Sequence, residues 1–118
     1  RLFTCDATKP YTIFDNEEKM FFDVVTAWEF FEHIEKEDLT GVMNSINSFT
    51  NKGALLICSV SNFTSPHDGV ELHRTRESKE WWVDFFKENG YERDINLEIY
   101  FKNEWVRWGT FNFVLVKV

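Results

Sequence analysis

The chain has 118 residues, 43% of them apolar and 18% aromatic, which suits one modest hydrophobic core and excludes intrinsic disorder. Its formal net charge of −7 argues against a nucleic-acid backbone as the main partner, because that binding needs clustered Lys and Arg to displace counterions. Two distant cysteines, Cys5 and Cys58, lack metal-ligand spacing, and no membrane-length apolar run or signal peptide is visible, so a reduced, cytoplasmic protein without a membrane partner is expected.

In chain order, Leu2–Cys5 reads as a short strand that ends at Asp6 and is stopped by Pro10, which cannot donate to a ladder. The start at Arg1, without a methionine and close to that strand, sets the expectation of a further segment upstream. A polar turn over 15–19 leads into Phe22-Asp23-Val24-Val25, whose short apolar run suits a parallel strand buried on both faces. In an open α/β sheet, ligands sit outside the carboxyl ends of the strands, so Thr26, Ala27, Trp28 and Glu29 fall where a crevice is expected. If the chain then turns helical, Glu29, Glu32 and His33 share one face, and Phe30, Phe31 and Ile34 take the other.

From Lys36 to Thr50, Leu39, Val42, Met43, Ile46 and Phe49 keep helical spacing, with Asp38 as the expected N-cap and Lys36 or Glu37 as alternative starts. Gly53 ends that connection, and Ala54–Val60 is a second buried strand. The stretch Ser61–Glu77 reads as a long loop of the kind that forms lids and binding loops; it carries a small basic patch at His73, Arg74 and Arg76, and a solvated His67. Ser78 caps a helix through Asn89 with Trp82, Phe85 and Phe86 inward and Gly90 as its stop. Ile95–Phe101 and Thr110–Val118 then form an antiparallel pair joined around Asn103 to Gly109; an exposed aromatic patch at Trp105 and Trp108 would mark a partner surface.

These pieces, in this order, resemble the class I S-adenosylmethionine-dependent methyltransferases. Phe22-Asp23-Val24-Val25 looks like the family's fourth strand, and it runs on to Glu32-His33-Ile34, which looks like the segment after that strand. Asn51-Lys52-Gly53-Ala54 looks like its "Lys-Pro-Gly-Gly" turn without the proline and second glycine, and Cys5-Asp6-Ala7 like its "Gly-Asp-Ala" with cysteine for glycine. His73, Trp81-Trp82 and Asn89-Gly90-Tyr91 resemble the later part of bacterial members. The glycines, at 41, 53, 69, 90 and 109, nowhere form the Gly-rich loop found after the family's first strand.

The resemblance implies an α/β, three-layer Rossmann-like methyltransferase fold, truncated to strands three through seven in one partial domain over 1–118. Its sheet would be mostly parallel, with a terminal antiparallel hairpin. It implies methyl transfer from S-adenosylmethionine to a small-molecule or glycan-like acceptor; the other reading is a non-catalytic domain of the same fold that binds a protein partner. Carried over by position, Asp6 accepts from the adenine amino group, Ala7 donates its amide to a ring nitrogen, and Thr26, Ala27, Trp28 and Glu29 line the methionine part. Without the Gly-rich loop, this polypeptide alone is expected to bind cofactor poorly or not at all.

Beside those roles stand plainer ones, Asp6 as a turn former and Trp28 as core. For a hydroxyl or amine acceptor a base helps, with His33 the first candidate and His73 the second, against a purely structural histidine at a helix start. Glu29, Glu32, His33 and a downstream histidine also resemble the metal site of small-RNA 2′-O-methyltransferases. The metal-free reading ranks above it, because Glu-x-x-Glu-His occurs in methyltransferases with no metal and the acidic charge is wrong for an RNA enzyme. Trp81 has a lid reading over the acceptor pocket, and Ser61–Glu77 is expected to cover it. In the family's strand order, 3-2-1-4-5-7-6, losing strands one and two would leave Phe22–Thr26 as an apolar edge; a homo-oligomer joined there is expected, unless the amino-terminal segment covers it.

Overall fold

The computed structural model describes residues 2–105 and 110–118, with the backbone alone for 103–105. Its strands are β1 (Phe14–Asp15), β2 (Glu18–Lys19), β3 (Phe22–Trp28), β4 (Thr50–Ser61), β5 (Pro66–His67), β6 (Val70–Glu71), β7 (Tyr91–Arg93) and β8 (Thr110–Lys117). The helices are α1 (Leu39–Ser48), α2 (Lys79–Glu88) and α3 (Ile95–Trp105), with 3₁₀ turns at Phe31–His33 and Lys36–Asp38. Trp108 and the side chain of Trp105 lie outside the described residues, so the aromatic patch expected there has no structural counterpart to report.

The main sheet has the order β3-β4-β8-β7, while β1-β2 and β5-β6 form separate two-stranded ribbons. This is the 4-5-7-6 portion of the expected order. Only β3 and β4 are parallel; β4-β8 and β8-β7 are antiparallel, so the described sheet is mixed rather than mostly parallel. The register between β3 and β4 slips from Phe22↔Thr50 to Val24↔Leu55, absorbing Asn51, Lys52 and Gly53. Gly53 has φ +88 with nothing near the position of a Cβ, so backbone conformation, not space, calls for glycine. The expected Lys-Gly turn is therefore a bulge inside a longer strand.

One face of the sheet carries the core. Leu56, Cys58 and Val60 of β4 and Phe113 and Leu115 of β8 are buried against Val42, Met43 and Ile46 of α1 and Trp82, Phe85 and Phe86 of α2. The other face is not covered in the same way: in β3, Val25 and Ala27 pack on the core, whereas Val24 is 49% and Trp28 47% exposed. So the strand expected to be buried on both faces is buried on one, and Trp28 is not core. Helices α1 and α2 share that core face, while α3 lies against β8 on the other: Val114, which alternates with the core-facing Phe113 and Leu115, is also fully buried there, and its amide donates to Glu98 of α3 at 3.4 Å.

Three sequence expectations are revised further. Leu2–Cys5 forms no strand. Ile95–Phe101 is helical: its alternating Ile95, Leu97, Ile99 and Phe101 mimic a strand, but the Asp94 carboxylate accepts from the Leu97 amide at 3.0 Å and nucleates α3, and Glu98 makes a two-point ion pair with Arg93. The place beside β8 goes to Tyr91–Arg93 instead, so no tight hairpin closes the sheet. Asp38 occupies the N-cap position of α1, yet its side chain makes no capping bond, because the 3₁₀ turn Lys36–Asp38 enters the helix directly. At α2 the expectation holds: Ser78 Oγ accepts from the Trp81 amide at 3.1 Å, and Gly90 comes next in the left-handed region at φ +90.

Candidate functional site

The carboxyl end of β3 does not run into an α-helix. Glu29 turns the chain with φ +47, and its amide donates to the carbonyl and hydroxyl oxygens of Ser59 in β4, at 3.0 and 3.1 Å. A single 3₁₀ turn then places Phe31 in the core and Glu32 next to it, both fully buried. Phe31 is held by aromatic contacts with Phe86 at 5.2 Å and Trp82 at 6.4 Å between ring centroids. That anchor fixes Glu32 at the carboxyl ends of β3 and β4, where the Ser61 amide donates to its Oε1 at 3.1 Å.

The stretch after β4 is not a free loop. Its short ribbon turns at Asp68-Gly69, both with positive φ, and exposed His67 pairs with Asp68 at 3.5 Å. Glu71 Oε1 accepts from the amides of Ser65 and His73 at 2.7 and 2.9 Å, which holds its carboxyl below the usual carboxylate range. The chain then returns across the 3₁₀ turn: the Thr75 amide donates to the Glu32 carbonyl at 3.0 Å, its hydroxyl to the Ile34 carbonyl at 2.8 Å, and Arg74 pairs with Glu35 at 3.3 Å.

This fold-back brings His73 to His33. Their rings meet edge to face with centroids 4.7 Å apart, and one donor atom from each of Glu32, His33 and His73 lies within 4.8 Å of the other two. His33 Nδ1 faces the Leu72 carbonyl at 3.1 Å, and His73 Nδ1 faces the Phe63 carbonyl. A carbonyl only accepts, so each Nδ1 carries a proton and the lone pair of the neutral ring is left on Nε2. Glu32 Oε2 is buried and has no hydrogen-bond partner, and burial pushes the carboxyl above its ordinary pKa.

The expected site residues thus divide. His33 and His73 come together, and Glu32 joins them. Glu29 is not part of that group, since its i, i+3, i+4 relation to Glu32 and His33 required a helix that does not form. Asp6 Oδ1 accepts from the amide and hydroxyl of Thr8 at 3.0 and 2.7 Å, a local turn that lowers its pKa, with half-buried Ala7 inside it. That turn lies against α1, where a Cβ on Gly41 would stand 3.5 Å from the Thr8 carbonyl. Thr26 is exposed and Ala27 half-buried at the end of β3. Trp81 stacks on Phe85 at 5.5 Å and lies under Lys36 Nζ at 4.7 Å, so its contacts are with its own helix and the 3₁₀ turn before α1. Sequence reasoning missed the parts played by Ser61, Glu71, Thr75 and the Phe63 and Leu72 carbonyls; backbone partners carry no side-chain signal, and Glu71 reads as one more surface acid.

Compared with curated proteins, the chain matches none. A family model described as a methyltransferase domain matches residues 5–99, most of the chain and all of the Glu32, His33 and His73 cluster. The 4-5-7-6 strand order, the crossover from β3 to β4 and this match agree: the chain belongs to the methyltransferase-domain family, consistent with the class I S-adenosylmethionine-dependent methyltransferases.

Proposed function

We propose that the chain is the carboxyl-terminal part of an S-adenosylmethionine-dependent methyltransferase whose acceptor is a hydroxyl or amine on a small or glycan-like molecule. The observation that carries this reading is the pair of imidazoles at the carboxyl ends of β3 and β4, each with Nδ1 tied to a carbonyl and Nε2 left as a proton acceptor. S-adenosylmethionine supplies an electrophilic methyl group, and its transfer depends on positioning and exclusion of water more than on a strong catalytic group.

The residues expected to hold that cofactor fit it in part. Asp6 is an exposed carboxylate beside the Ala7 amide, a donor-acceptor pair of the kind that suits an adenine edge, and Thr26–Glu29 close the end of β3. His33 or His73 would take the proton from the acceptor as its nucleophilic atom engages, with the segment 61–77 lying over the site. Glu32, buried beside both rings, would favour a protonated imidazole once charge develops there.

Calorimetric titration of S-adenosylmethionine and S-adenosylhomocysteine into the purified chain tests the cofactor half of the reading; saturable binding of either supports it, and no binding removes it for this polypeptide. In an enzyme that turns over, His73→Ala should depress methyl transfer while cofactor affinity stays nearly unchanged. Equal loss of both would sink the base and lid assignments.

A further inference from the structure

Glu32 Oε2 poses a question that methyl transfer does not answer. It is a carboxylate oxygen cut off from solvent and without a hydrogen-bond donor. Leaving such a group unpaired costs about 1–3 kcal/mol, and more when it is charged. Beside its carboxyl group stand His33 and His73, each with Nδ1 on a backbone carbonyl and the lone pair of its neutral ring therefore on Nε2. Neither neutral ring in that tautomer donates to the carboxylate. One candidate ligand atom from each of the three side chains lies within 4.8 Å of the other two.

A cation resolves that arrangement. We propose that Glu32, His33 and His73 bind one divalent first-row transition-metal ion through one carboxylate oxygen and two imidazole nitrogens. Bonds of about 2.0–2.2 Å at ordinary ligand angles put donor atoms roughly 3.0–3.5 Å apart, so the present separations within 4.8 Å close by side-chain movement on the order of an ångström. The Nδ1-to-carbonyl bonds are the outer contacts that orient ligating histidines and fix their tautomer. Two imidazoles in a set of three favour zinc, cobalt, nickel, iron or manganese over magnesium or calcium, which prefer all-oxygen shells. Three protein ligands also leave coordination positions open for water or an oxygen donor. Glu29 has no place in this set, which separates it from the four-ligand pattern considered from the sequence.

The inference does not rest on methyl transfer, and it competes with the base role of the same nitrogens: an Nε2 bound to a metal cannot accept a proton. The test is calorimetry of chelator-treated chain, in a Cys5→Ser background so that the exposed thiol takes no part, with Zn²⁺, Co²⁺ and Mg²⁺ and no methyl donor. One saturable site for Zn²⁺ and Co²⁺, at least about 100-fold tighter than for Mg²⁺, is expected, with His33→Ala and His73→Ala each weakening it about 100-fold and exposed His67→Ala leaving it unchanged. Should a histidine variant fail to fold, the visible spectrum of the Co²⁺-loaded parent decides: a nitrogen- and oxygen-ligated band supports the site, and the spectrum of free aqueous Co²⁺ overturns it. Absence of saturable binding, Mg²⁺ binding as tight as Zn²⁺, or binding undiminished in both folded histidine variants would also overturn it.

Discussion

Replacing Phe31 by alanine tests whether the 3₁₀ turn is seated as described, and with it the position of Glu32. The ring is fully buried and touches Phe30, Trp82 and Phe86 at centroid separations of 5.3, 6.4 and 5.2 Å. Truncating a fully buried phenylalanine costs about 3–5 kcal/mol, the lost transfer energy plus the cavity left behind. The upper part of that range is expected, because Trp82 and Phe86 belong to a helix already closed on the sheet and collapse poorly into the gap. With a urea slope of about 2 kcal/mol/M, a loss of about 4 kcal/mol lowers the unfolding midpoint by about 2 M. Urea titration followed by tryptophan fluorescence reads it directly, with Phe63→Ala as the control: that ring is 58% exposed and its loss should stay within about 0.5 kcal/mol. A Phe31→Ala midpoint no lower than that of Phe63→Ala, at equal slope, would refute the seating of the turn.

Cys58 of β4 is buried in the core shared with α1 and α2 and its thiol pKa is pushed well up by burial, whereas Cys5 is exposed; a disulfide reagent at pH 8 should titrate one thiol per native chain and two in denaturant, and two fast thiols in native buffer would contradict the core. Because Glu71 has a folded-state pKa below its unfolded value, its hold on Ser65 and His73 is present above the unfolded pKa near 4.5 and is lost as pH falls through the folded one; amide exchange at 65 and 73 should therefore quicken, relative to the rest of the chain, on acidification below that range, and a Glu71→Ala variant, which removes the acceptor, should show those amides already fast at neutral pH. The edge of β3 has no strand on its outer side among the described residues, and Leu2–Cys5 does not supply one, so we propose that chains pair there as a two-fold dimer; light scattering that shows a monomer across micromolar concentrations, with the Val24 and Val25 amides protected from exchange, would exclude it.

Much of the architecture was legible in local pattern. The 3.6-residue spacing of Val42, Met43 and Ile46, the Ser78 cap, the Gly90 stop and the β-branched run of β3 each report an element through its own side chains, so no distant partner is needed to read them. Ile95–Phe101 failed that test because its alternation fits a strand, while the Asp94 cap and the Arg93–Glu98 pair, which decide for a helix, depend on where Tyr91–Arg93 docks on β8. The one-sided burial of β3 was likewise invisible, since an apolar run looks the same whether one face or two are covered. The histidines were found by residue type, and their meeting was considered only through a resemblance that also included Glu29. His33 and His73 lie far apart in the chain, and only the return of the chain at Thr75, pinned to the backbone of Glu32 and Ile34, turns two separate side chains and a buried acid into one site.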